Sequence, residues 1–122
     1  EYDIEKIRDC YHLPCTLHTP DRIVMLQNDN DFNIEFLEIF KGLKEVSTQK
    51  ILPIKATYSK IGADLFLVCI DWSFYDLNNE VFADFSAFYY LNTVREKLKI
   101  FNVASHDISN GLHLSTPFSI KS

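Results

Sequence analysis

Apolar positions along this chain first recur at helical spacing and then, from Lys50, at strand spacing. Ile4, Ile7 and Tyr11 fall at three- and four-residue steps, which predicts an amphipathic helix over residues 2–13. Pro14 disfavours helical geometry at Leu13 and should end it. Thr19-Pro20-Asp21 signals a turn, and a short apolar run follows at residues 23–26. Residues 27–33 are rich in Asn and Asp, which favour turns and helix N-caps. Phe32, Phe36, Phe40 and Leu43, with Leu37 and Ile39 beside them, then predict a second helix to about Val46. Its polar face carries Glu35, Glu38, Lys41 and Lys44.

From Lys50 the period becomes two, and strands are expected over 51–58, 65–76, 81–93 and 98–106. The tail 108–122 is weakly patterned and leaves room for one edge strand. Helices followed by a run of strands predict an α+β domain, with helices on one side of a bent antiparallel sheet. Taking Asn78-Asn79 as the central turn residues sets Leu77 against Glu80 and Trp72 against Phe85. Phe74, Ile70, Val68 and Phe66 then oppose Ala83, Ala87, Tyr89 and Leu91, an apolar inner face. A turn near Arg95-Glu96, with Lys97 and Lys99 outward, places Leu98, Ile100, Asn102, Ala104 and His106 inward. Tyr89 would face Asn102, and Phe85 would face His106. The other face, half apolar, predicts an interface with a second copy through Leu67, Cys69, Phe88, Tyr90, Phe101 and Val103. The alternative is that the C-terminal tail folds over it.

Composition narrows this picture. The 122 residues fit a single domain spanning 1–122, and a 47% hydrophobic content supports a real core. With 12 basic and 17 acidic residues the net charge of −5 argues against a nucleic-acid partner. No apolar run reaches the roughly 20 residues that a membrane span requires. Three irregularly spaced cysteines, Cys10, Cys15 and Cys69, suggest a reduced cytoplasmic protein, although a start at Glu1 leaves a cleaved leader open.

Ile70-Asp71-Trp72, then Phe82-Ala83-Asp84-Phe85-Ser86 with Tyr89, and Lys99-Ile100 running to Ser105-His106-Asp107 carry a family pattern. With Pro14 and Thr19-Pro20-Asp21 upstream, the chain resembles the SnoaL-like branch of the nuclear transport factor 2-like superfamily. The resemblance implies a cone-shaped, cystatin-like α+β fold, with a curved sheet around helices and a pocket between them. It also implies homodimers joined through the sheet. The superfamily holds ketosteroid isomerases, polyketide cyclases, epoxide hydrolases, dehydratases and non-catalytic binders, so fold leaves the reaction open. Arg22 stands where relatives often have Gly, and Leu98 where they often have Trp.

Candidate chemistry centres on the inner face. His106 and Asp107 are adjacent on a strand and point to opposite faces, so His106 alone is the acid–base or ligand-binding candidate. A strand-end histidine satisfied by backbone is the competing reading. Tyr89 and Asn102 together could polarise a substrate carbonyl, or could satisfy each other in the core. Trp72 and Phe85 read as pocket wall, and Tyr11 as a helical phenol able to hold an oxyanion. Parity puts Asp71 and Asp84 on the outer face, which weakens an isomerase site. His12, Cys15 and His18 are interrupted by Pro14, so neither a metal nor any other cofactor is expected. The expected ligand-binding set is Tyr11, Trp72, Phe85, Tyr89, Asn102 and His106, with His106 and Tyr89 as the catalytic candidates. The first reading is a binder of a small apolar ligand. The alternatives are a cofactor-free isomerase, cyclase or dehydratase, and a dimeric interaction module.

Overall fold

A computed structural model of the chain describes residues 3–106. Its elements are α1 (Ile4–Arg8), β1 (Tyr11–His18), β2 (Ile23–Leu26), α2 (Asp29–Glu45), β3 (Lys50–Lys60), β4 (Leu65–Tyr75), β5 (Val81–Val94) and β6 (Lys97–His106). Residue 2, Asp107 and the edge strand considered for 108–122 lie outside the described residues.

The first helix is shorter than expected, and Tyr11 belongs to a strand. Asp3 caps α1 by accepting from the amides of Glu5 and Lys6. Beyond Arg8 a second pattern wins: Tyr11, Leu13, Cys15 and Leu17 alternate with His12, Pro14, Thr16 and His18. Cys15 and Leu17 are buried and their neighbours are not. Pro14 is tolerated because the ladder to β2 begins only at Cys15, and the ladder to β6 is broken between Tyr11 and Thr16. The second helix follows the sequence closely. Asn28 accepts from the Asp31 amide at 2.9 Å, and the Asp31 carboxylate accepts from the Gln27 amide at 3.0 Å. Phe32 is fully buried and stacks on Phe36 at 4.2 Å. Burial of one such ring is worth about 1.5–3 kcal/mol.

The six strands form one sheet in the order β2-β1-β6-β5-β4-β3. It is mixed rather than wholly antiparallel, since β1 runs parallel to β6. Helix α2 packs against α1 and β2. The core cluster of Cys15, Leu17, Leu26 and Phe32 therefore lies at that end of the molecule. Among the described residues no helix is long and apolar enough to cross a membrane.

Trp72 faces Phe85, and Phe74, Ile70, Val68 and Phe66 face Ala83, Ala87, Tyr89 and Leu91, as the alternation predicts. The turn itself differs. The Asp76 carbonyl accepts from Asn79 at 3.1 Å, which makes Leu77 and Asn78 the central residues, and Asn79 takes the positive φ of 62°. Leu77 does not face Glu80; instead the Asp76 amide donates to the Glu80 carbonyl at 2.9 Å. A bulge at Phe82 then absorbs the one-residue difference and restores the expected register.

A second bulge overturns the assignment of β6. Leu91 faces Ile100, as a two-residue turn at Arg95-Glu96 requires, but Tyr90 faces Asn102. Phe101 is the extra residue, and every side chain beyond it changes face. Asn102, Ala104 and His106 stand opposite Tyr90, Phe88 and Ser86 on the outer face, while Val103 stands opposite Tyr89. Val103 accordingly packs against the core cluster and is withdrawn from the outer patch.

Candidate functional site

Where α1 gives way to β1, the inner face of the sheet opens into a cavity of about 310 Å³. Ile7, Cys10 and Tyr11 close one side, with Val68, Ile70 and Trp72 of β4 on another, and Tyr89, Leu91 and Ile100 complete the wall. The strand parity that turns Val68 and Ile70 inward also delivers Trp72 and Tyr89 to this side. Between their two rows lies Ile70 opposite Ala87, and the short alanine leaves space for indole and phenol to meet. The Trp72 indole Nε1 donates to the Tyr89 hydroxyl at 2.9 Å. An indole N–H can only donate, so the Tyr89 oxygen accepts here and its own proton remains to be given elsewhere.

Tyr11 is held edge-on by Phe32 and Phe36, at 5.2 and 5.6 Å between ring centroids. Burial, with the nearby Tyr89 phenol adding to it, raises the Tyr11 hydroxyl well above the usual tyrosine range. Burial raises Tyr89 as well, against the opposing effect of the Trp72 hydrogen bond. Both phenols are therefore neutral at ordinary pH. Among the described lining residues there is no carboxylate, imidazole or amine. This arrangement can hydrogen-bond a neutral or partly charged oxygen, but it cannot balance a full charge.

The structure brings together three of the six expected ligand-binding residues, Tyr11, Trp72 and Tyr89. Phe85 is on the inner face but packs edge-on against Phe74 at 5.3 Å, away from the cavity lining. Asn102 lies on the outer face and donates to the Thr16 hydroxyl. His106 is also outside, its ring 5.6 Å from that of Phe88. His106 and Tyr89 thus occupy opposite faces and form no catalytic pair. Asp71 accepts from the Ser86 hydroxyl on the outer face, and Asp84 is exposed. Strand alternation likewise separates Cys15 from His12 and His18, and no metal-binding cluster occurs among the described residues. Ile7 and Cys10 were missed as lining residues, because residues 2–13 read as one unbroken helix. The alternation from Tyr11 onward was the signal that could have found the break.

No protein-family model matches this sequence, and no curated protein matches it. Solved structures do. A nuclear transport factor 2-like protein with a cystatin-like fold from Novosphingobium aromaticivorans superposes with a TM-score of 0.69 at 5% identity, covering 89% of this chain and 71% of that one. A nuclear transport factor 2-like protein of unknown function from Shewanella oneidensis gives 0.63 at 12% identity, covering 86% and 84%. A ketosteroid isomerase-like protein from Erwinia carotovora atroseptica gives 0.58 at 14% identity, covering 87% and 82%. At these identities the likeness speaks of fold alone, and with the strand order above it shows that this chain has the nuclear transport factor 2-like, cystatin-like α+β fold.

Proposed function

We propose that the domain binds a small, largely apolar molecule bearing one hydrogen-bond-accepting oxygen, after the manner of a SnoaL-like binder. The observation that carries this is the Tyr11–Trp72–Tyr89 cavity, whose apolar walls surround two neutral phenols. Ligand sites commonly combine an apolar lining with a few placed polar groups. Trp72 is the only tryptophan in the chain, so its emission reports directly on occupancy. Titration with acetophenone and naphthyl ketones should shift or quench that emission and raise the melting temperature. Tyr89→Phe should weaken binding roughly tenfold, the worth of one hydrogen bond in a dry site. Unchanged emission and melting temperature across the series, or equal affinity in Tyr89→Phe, would refute the assignment.

The isomerase, cyclase or dehydratase reading relied on His106 as its base, and His106 faces away from this cavity. We also propose a homodimer through the outer face, where Leu67, Cys69, Phe88, Tyr90 and Phe101 are each only half-buried in the single chain. The Ser86 hydroxyl supplies Asp71 with a partner there, which lowers the cost of covering that carboxylate. Three free thiols, at Cys10, Cys15 and Cys69, support a cytoplasmic setting for the proposal.

A further inference from the structure

A second and larger cleft, of about 1000 Å³, opens where α2 ends and β3 begins. Its apolar lining comes from Leu37, Phe40 and Ile51, and Leu37 is 58% exposed despite its chemistry. Lys41 and Lys44, three apart on the last turns of α2, join Lys50 of β3 around it. Lys50 is poised over the Tyr75 ring, 4.9 Å from its centroid. The ion pairs among the described residues are Arg8–Asp29 and Arg22–Glu35, and neither engages these lysines. Glu45 is the single carboxylate among the described lining residues, so positive charge is in excess, three against one. The Thr48 hydroxyl oxygen is buried in the same wall, with no hydrogen-bond partner among the described residues.

Lysines in a last helical turn also balance the partial negative charge of the helix end. That role accounts for Lys44 but not for Lys41, and not for the apolar lining. We propose that this cleft is a binding site for an amphipathic carboxylate. The apolar body would lie along Leu37, Phe40 and Ile51, and the carboxylate would be met by the lysines. The site shares no lining residue with the tyrosine cavity, so it stands independently of the function proposed above.

The probes are decanoate and decanol, titrated calorimetrically at low salt, where screening is weakest. Decanoate should bind the unmodified protein at least roughly tenfold more tightly than decanol, a difference of about 1.4 kcal/mol. The exposed pair Lys41→Glu with Lys44→Glu should erase that preference while decanol still binds, with a small fall in melting temperature because Lys44 also balances the helix end. Trp72 emission should stay constant throughout, because the indole belongs to the other cavity. A preference for decanoate that survives the double substitution overturns the proposal. So does a decanoate-dependent shift of Trp72 emission, which would place the ligand among the tyrosines, and so does the absence of binding at millimolar decanoate.

Discussion

Tyr11, Tyr89 and Cys15 keep their protons because their surroundings cannot solvate the anion. Burial raises both phenols and pushes the Cys15 thiol from 9.0 to about 11. Each group ionises at its ordinary value once the chain unfolds, so at alkaline pH the unfolded state binds fewer protons than the folded one. The stability tied to these groups is therefore complete below pH 9.0, is lost for Cys15 as pH rises to about 11, and begins to be lost for the tyrosines above 10.0. Each group contributes a slope of at most about 1.4 kcal/mol per pH unit inside its window. Urea unfolding across that range should show the decline, and Tyr11→Phe should flatten the part above pH 10.0. A variant curve as steep as the original would mean that Tyr11 ionises freely in the folded state.

The hairpin between β5 and β6 turns on Arg95 and Glu96, both left-handed, with φ of 50° and 68°. Two successive positive φ angles suit Asn-Gly, and side chains with a full Cβ are strained there. Replacing Arg95→Asn together with Glu96→Gly should raise stability by about 1 kcal/mol, or roughly 4–8 °C in melting temperature. Calorimetry that finds no gain would show the strain to be relieved already. This turn was legible in the sequence, as were α2 and the pairing of β4 with β5, because a buried apolar face rejects any one-residue slip. The first helix was over-extended because Tyr11 satisfies a helical stripe and a strand alternation at once, and Pro14 argued for the wrong one. Tyr11, Trp72 and Tyr89 line one cavity: Trp72 and Tyr89 keep the expected face because the bulge at Phe82 offsets the shifted turn, and Tyr11 was named by its chemistry alone. Asn102 and His106 did not survive, because apolar alternation gives no sign of an unpaired residue such as Phe101.

At the scale of the molecule, the homodimer we propose turns on the outer face. Leaving apolar surface in water costs about 25 cal/mol per Å², and a self-complementary two-fold pair covers it without forming filaments. Phe88→Glu with Phe101→Glu should yield a monomer that retains Trp72 emission. Sedimentation showing the unmodified chain to be monomeric at micromolar concentration would rule the dimer out. The bulge at Phe101 reaches beyond this one chain. It acts as a reading frame for side-chain direction: one residue more or less in β6 swaps the inner and outer faces for every side chain between positions 102 and 106. A relative of the same fold that lacks the extra residue would present its counterparts of Asn102 and His106 to the inner face, and its counterpart of Val103 to the outer one. Transfer of functional residues between such proteins by aligned position would then be wrong by a whole face, and counting bulges must come before comparing letters.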